Sequence, residues 1–561
     1  MRRAVPPWLV ALAGLLAILA LPFLAKYRAT HSAAASRASA PAGSAGETLV
    51  IITPHNEAIR HEFTEAFTAF MARQGRQVQI DWRSPGGGSE INRLLAAEYA
   101  ASFQRYWTGA LGRRWSGPVS AGFAADAPAD PDAVQARRAF LDSSVGCGMD
   151  LLFGGGSVDA QMHASAGRLV DAGVIRAHPA LFGDAGIPAV VGGEAFWDRA
   201  GRWLGVCLSG FGICVNRDVL ARLGVTTLPS SWAALADPLY FGQLGLADPG
   251  KSGTAVKTFE MIIQEQMQQV RQRAEAAGVP PARLDDVAIH DGWLAGLRLI
   301  RRLAANARYF SDAASRVPVD VATGDAAAGM CIDFYGRFQS EVTAAAQGAE
   351  RAHQAPRMDF VMPKTGTSIG ADTIGLLRGA PHRALAVAFI EFVLSEEGQK
   401  IWSFRKGAPG GPRTYALQRL PILPALYAPE YDDYRADRDT NPYAPTHPFV
   451  YHEAWTGPLF RAIAFVVRVM CVDPAPELRD AYQALAQAGF PAQATALFDE
   501  VSAVDYDTVK GPLRAALRAP NALDEVTWSN RLVRQFRDQY RQVAVLARHS
   551  QAGRAPAGDG R

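Results

Sequence analysis

The 561-residue chain has few cysteines, no excess of either charge and no series of long apolar runs. Its five cysteines (Cys147, Cys207, Cys214, Cys331, Cys471) are too sparse for a disulfide scaffold, and none are spaced as CxxC. An odd count leaves at least one thiol unpaired, and a metal centre built on cysteine is not expected. Lys plus Arg number 57 against 54 Asp plus Glu, a formal charge of +3. Without a basic excess to neutralise phosphates, nucleic acid is not the expected partner. The lack of several long apolar runs argues against a polytopic membrane protein. A recognisable metalloprotease motif is also missing: there is no H-E-x-x-H. That favours binding over chemistry, with no catalytic residue, metal or cofactor expected.

What is present suits a folded body. The chain is 49% hydrophobic and 20% charged, with a mean hydropathy of -0.02, and is long enough for about three or four domain-sized pieces. Arg2 and Arg3 precede an apolar stretch from Trp8 to Ala25, on the border between a signal-peptide core and a short membrane helix. By the positive-inside rule everything beyond Lys26 is exported, whether that stretch is cleaved or kept as an anchor. Residues 29–46, rich in Ala, Ser, Gly and Pro, read as a tether.

From Thr48 the sequence alternates strand and helix signals. Thr48–Ile52 is a β-branched run. Ile59, Phe63, Phe67 and Phe70 then fall on one helical face, with Thr53 or Asn56 as N-cap and Pro54 in the first turn. Val78–Trp82 leads through Gly86, Gly87, Gly88 and Ser89 into another amphipathic helix, and the run ending at Phe153 leads through Gly154, Gly155 and Gly156 to Ser157. This rhythm predicts an α/β fold with parallel strands. Residues 105–145 break it and read as an inserted loop. Two glycine-broken apolar runs, Trp203–Asn216 and Ser368–Leu377, read as crossings between lobes. The expected organisation is a leader and tether over 1–46, lobe 1 over 47–213, lobe 2 over 214–365, a return to lobe 1 over 366–426, and a helical extension over 427–561.

Gly245–Ser252 satisfies the phosphate-loop spacing G-x-x-x-x-G-K-S, but Pro249 removes one of the backbone N–H groups that such a loop needs. The simpler reading is a helix start at Ser252, Gly253 and Thr254. It serves either as plain capping or as an anion site made by free N–H groups. The turns at Gly88–Ser89 and Gly155–Ser157 offer the same physics. His55 and Asn56 follow the first strand, and Asp333, Tyr335 and Arg337 follow a later one; each is either a solute ligand or a satisfied structural side chain.

Taken together, Leu49–Ala58, Ala247–Thr254, Ala326–Gly336 and the helix opening Phe392–Trp402 resemble the extracellular solute-binding proteins of ABC transporters, specifically the ferric-iron type. The resemblance covers about residues 47 to 426. It implies a class II periplasmic-binding fold, two lobes closing on a solute, and a permease in the inner membrane as partner. Iron-binding members use a His after the first strand, a Glu in a lobe-one turn and two adjacent tyrosines. Here His55 and Tyr335 match, Phe334 stands where the other tyrosine belongs, and the glutamate position falls in the Gly154–Gly156 run. Losing two hard oxygen donors disfavours Fe(III). The expected ligand is therefore a small anionic solute. A ferric carrier, and an exported enzyme or sensor using the same fold, stand as alternatives.

Overall fold

A computed structural model of the chain describes residues 46–347, 355–444, 449–519 and 523–552. The leader expected over 1–46 lies outside them but for Gly46.

In chain order the strands are β1 (Glu47–Ile52), β2 (Val78–Arg83), β3 (Leu151–Gly156), β4 (Leu169–Val170), a hairpin of β5 (Val190–Val191) and β6 (Glu194–Ala195), and β7 (Leu204–Ser209). Next come β8 (Phe211–Asn216), β9 (Leu244–Ala247), β10 (Ala307–Ser311), β11 (Ala328–Ile332) and β12 (Met358–Val361). Last are β13 (Gly370–Leu377) and β14 (Leu420–Pro421). They form a seven-stranded sheet ordered β14-β7-β13-β3-β1-β2 with β4 on β13, and a five-stranded sheet ordered β10-β9-β11-β8-β12. The two-sheet α/β architecture with a helical C-terminal region is as expected, but the sheets are mixed where parallel strands were expected: β1 runs parallel to β2 and β3, while β13 is antiparallel to β3 and β7, and β8 to β11 and β12. The chain leaves the first sheet at Ser209 and enters the second at Phe211, so Gly210 alone separates them. It returns through residues 362–369.

Local signals explain most elements. The helix Glu57–Arg73 buries Ile59, Phe63, Phe67 and Met71. Asn56 caps it, its side chain accepting from Ile59 N–H at 3.1 Å. Pro54 therefore precedes the cap instead of lying in the first turn. Residues 105–145 are not a loop, which corrects the sequence reading. They hold the helices Gly117–Gly122 and Pro131–Asp142, capped by Ser116 and Asp130. Trp107, Phe123 and Phe140 pack there around Phe103 and Tyr99. These helices are short and polar outside, so their periodicity is faint while their packing is not.

The second sheet shares one core with the C-terminal helices: Leu246 and Met330 cluster with Trp293, Met470, Leu485, Phe498, Phe536 and Tyr540. The apolar stretch Glu453–Val472 is long enough to cross a membrane by composition, yet 61% of its most apolar window is buried in this body. Helices Gly253–Ala276 and Pro281–Ala305 pack closely because a Cβ at Gly292 would lie 2.4 Å from Met267 Cα. The extension is not helical from its start: regular helices begin at Glu453, and the preceding stretch lies across both sheets.

Candidate functional site

The crossing from β7 to β8 is where buried charge collects. Asp333, at the end of β11, is fully buried and accepts from Gly210 N–H at 3.0 Å and from Phe334 N–H at 2.7 Å. Burial pushes its carboxyl up to about 6, against the pull of the Gly210 N–H, Arg337 and Arg419. Asp333 thus pins the peptide that joins the two sheets.

Beside it, His55 Nε2 lies 3.2 Å from Asp372 Oδ2, and Arg419 Nη1 lies 2.9 Å from the same oxygen. Arg419 also donates to Ser209 Oγ at 2.8 Å, and its guanidinium stacks 3.5 Å above the Phe334 ring. Burial works to raise the Asp372 carboxyl, but Arg419 and His55 outweigh it and hold it at about 2. Burial lowers the His55 imidazole against Asp372, so the ring is neutral and its Nε2–H donates to the carboxylate. Tyr335 is half-buried with its ring 4.2 Å from Phe334, and burial raises its phenol. The cluster joins β13, the β14 lead-in, the loop after β1 and the start of the Asp333–Ala346 helix. It therefore draws on both sheets.

Three polar atoms at this cluster have no partner among the described residues: His55 Nδ1, Arg419 Nε and Trp402 Nε1. The Trp402 ring lies 5.7 Å from the His55 ring and 5.8 Å from the Arg419 guanidinium carbon. Buried polar atoms without partners, here two donors and the His55 Nδ1 acceptor, are costly in a finished core and mark a place where a ligand or water completes the bonding. Gly154 is glycine for a steric reason as well as its φ of +104°: a Cβ there would lie 2.8 Å from the His55 ring. That contact leaves no room for a side chain at this position of the Gly154–Gly156 run.

The other expected residues separate into groups. Gly88 and Ser89 open the helix Gly88–Arg105, and Ser157 opens the helix Ser157–Ser165. Their termini converge on Asp159: a Cβ at Gly88 would lie 3.3 Å from its Oδ2, and one at Gly155 3.9 Å. Asn92 donates to the other carboxylate oxygen at 2.7 Å. Gly155 also turns to the central cluster, its carbonyl accepting from Thr373 Oγ1 at 2.9 Å. Ser252 caps the helix Gly253–Ala276, accepting from Ala255 N–H at 3.3 Å, and the Thr254 carbonyl accepts from Thr258 Oγ1. No hydrogen bond or ion pair among the described residues links Ser252, Gly253 or Thr254 to His55 or Tyr335. Asn56 is spent on capping. Arg337 is turned to the extension, pairing with Asp437 at 2.8 Å and stacking over Phe360.

Sequence reading missed Asp372, Arg419 and Ser209. Two of these had a visible signal, a lone charge inside an apolar run: Asp372 in Ile369–Leu377, and Arg419 between Leu417 and Leu420. Arg419 also follows Gln418, whose φ of 58° puts a non-glycine residue in the left-handed region. Such strain persists where the surroundings over-determine it, often beside a functional group.

Residues 163–435 match the sequence profile of the family described as bacterial extracellular solute-binding protein. The phosphoglycerate transport regulatory protein PgtC of Salmonella typhimurium is 25% identical over 230 residues, covering 39% of this chain and 48% of that protein. An uncharacterized protein of Haemophilus influenzae is 24% identical over 192 residues, covering 34% and 44% respectively. The chain thus spans about half the length of the curated relatives it matches. Among solved structures, the periplasmic binding protein AfuA from Actinobacillus pleuropneumoniae, with fructose-6-phosphate bound, is similar at 17% identity and a TM-score of 0.39. The match covers 64% of this chain and 82% of that one. The apo ferric ion-binding protein A of Pasteurella haemolytica is similar at 13% identity and a TM-score of 0.43, covering 75% and 97%.

Proposed function

We propose, from the match of residues 163–435 to the bacterial extracellular solute-binding profile, that the chain is the exported solute-binding component of an ABC transporter. It holds a small anionic solute where the two sheets meet and presents it to an inner-membrane permease. The N-terminal apolar stretch supplies export, as a cleaved signal or as a tether. Its work is binding; the site's groups are neutral or mutually paired, and none is set up as a nucleophile with an adjacent base.

The observation that carries the ligand class is Arg419. Arg419 is 4% exposed, and its guanidinium is permanently charged and fixed by Asp372, Ser209 and the Phe334 ring. Asp372 and Ser209 share Nη1, while Nε keeps an unused N–H. A carboxylate or phosphate oxygen is the acceptor this donor wants, and a hydroxyl beside it can donate to His55 Nδ1. A phosphorylated hydroxy acid has both groups. The phosphoglycerate in the name of the Salmonella relative is of that class.

The ferric reading loses ground at the same place. Where a second phenolate would bind metal, Phe334 instead carries a cation of the protein's own at 3.5 Å. Arg419 and Fe(III) would repel each other there.

The test is a thermal-shift series on the full chain with 3-phosphoglycerate, fructose 6-phosphate, inorganic phosphate and ferric citrate. A ligand at 100 times its Kd stabilises by about 2.7 kcal/mol. The phosphate esters are expected to raise Tm and ferric citrate to leave it unchanged. Phe334→Tyr is expected to bring no ferric affinity, read as the absence of a phenolate-to-iron absorption band. A ferric-only shift in the unaltered chain, or a strong band in the variant, would overturn the anionic reading.

A further inference from the structure

A second buried charge knot ties four parts of the chain together away from Arg419. Lys257, in the second turn of the Gly253–Ala276 helix, places Nζ 3.0 Å from Glu194 Oε1 and 3.0 Å from Glu260 Oε2. The same ammonium sits 3.6 Å above the Tyr451 ring. Tyr451 and Thr456 donate their hydroxyls to Glu260 Oε1 at 2.9 and 2.6 Å, and Ser368 donates to Glu194 Oε1 at 2.5 Å. Glu194 is in the β5–β6 hairpin beside the first sheet, Lys257 and Glu260 belong to the second, Ser368 lies in the return crossing, and Tyr451 and Thr456 come from the extension.

The lead-in to the extension has the same bridging character. On the first-sheet side, Tyr443 donates to the Ile422 carbonyl, Ala436 N–H to the Ser403 carbonyl at 2.8 Å, and Tyr451 N–H to the Gly192 carbonyl at 2.8 Å. On the second-sheet side, Asp437 pairs with Arg337 at 2.8 Å, Arg337 donates to Thr440 Oγ1 at 3.2 Å, and Gln264 donates to the His452 carbonyl at 2.9 Å. A hinged two-sheet body needs its sheets joined only by the crossings. Here residues 427–444 and 449–456 fasten both.

We propose that these two stretches are an internal strap that holds the sheets closed without solute, and that the Glu194–Lys257 and Asp437–Arg337 pairs are its releasable fasteners. Arg337 is the revealing residue. It follows the cleft tyrosine in sequence, yet the strap takes it with Asp437. Solute exchange then requires the strap to loosen, so that its position reports cleft occupancy to whatever the extension contacts. Buried pairs of this kind define one arrangement sharply, and breaking one partner away is costly.

The test needs no solute, so it is independent of the ligand class proposed above. Hydrogen exchange by mass spectrometry and small-angle X-ray scattering are applied to the unliganded full chain, to Glu194→Gln, to Asp437→Asn and to the double variant. In Glu194→Gln the ammonium keeps Glu260 and Tyr451. In Asp437→Asn, Arg337 keeps Thr440 and the Phe360 ring. Amides of Gly210 and Phe211 and of residues 366–370 are expected to exchange about ten-fold faster or more in the double variant, with an enlarged radius of gyration. β1 amides serve as the control for an intact fold. Tyr451→Phe, which loses a single hydroxyl, is expected to give a smaller change of the same sign. Unprotected crossing amides in the unaltered chain, or unchanged exchange and radius in the double variant, would overturn the strap.

Discussion

Replacing Arg419 with methionine is expected to lower the unfolding free energy by about 3–5 kcal/mol at pH 7, because it strands a buried carboxylate whose partner has gone. Asp372 is 12% exposed on its side chain and keeps a neutral imidazole and the Gly155 backbone N–H, with no cation beside it. Urea denaturation checks the number, with the m-value confirming that the same surface unfolds. The double variant Arg419→Met/Asp372→Asn is expected to recover more than half of the loss, since the stranded charge is removed too. Additive losses would mean that the two side chains do not act as a pair. The acid limb gives an independent reading. A carboxyl held at about 2 contributes stability that is complete above its unfolded value near 3.8 and is lost as pH falls toward 2. That limb should flatten in Arg419→Met.

The second large effect is expected at His163, outside the Arg419 cluster. Its ring is fully buried, with Nε2 2.8 Å from Asn92 Oδ1 and Nδ1 3.1 Å from Arg168 Nη1. Arg168 can only donate, so Nδ1 accepts and Nε2–H donates to Asn92, which fixes the neutral tautomer. Burial, aided by Arg168, lowers the imidazole to about 3. A depressed folded value gives stability that is full above pH 6.5 and drains away as pH falls toward 3. Between pH 7 and pH 4.5 the loss should be about 2–3 kcal/mol at 1.36 kcal/mol per unit. Asp333, raised to about 6, works oppositely between pH 6 and 3.8, so the total slope is a difference. His163→Gln isolates the histidine: the variant should start less stable at pH 7 and lose about 2–3 kcal/mol less on acidification. Parallel pH curves for the two proteins would contradict the assignment.

The sequence made some of this plain. The Glu57–Arg73 helix could be read because its buried face is a row of large apolar residues at helical spacing behind an Asn cap. The break at Gly210 could be read because no single strand is as long as the apolar run that contains it. The helices of residues 105–145 could not, since Trp107, Phe123 and Phe140 meet only through tertiary packing and leave no regular period. At the candidate site, His55 and Tyr335 drew attention through motifs that resemble those of a family. Asp372 and Arg419 were not, because a charge pair formed between distant strands has no spacing to detect. Each announced itself only as one ionisable residue in apolar company. Ser252 marks the limit of a local signal: a helix start looks alike whether its N–H groups await an anion or are simply capped, and here Ser252 accepts from Ala255 N–H.

The central claim is that the cleft takes its solute at Arg419. It is tested most directly by crystals of the full exported body soaked in tungstate, a tetrahedral oxyanion that anomalous scattering locates without ambiguity. The account predicts a tungsten peak between the two sheets, with an oxygen within hydrogen-bond distance of Arg419 Nε. A peak at the Ser252–Thr254 helix start with nothing at Arg419 would contradict it, as would a cleft that excludes tungstate and instead binds ferric ion through His55 and Tyr335.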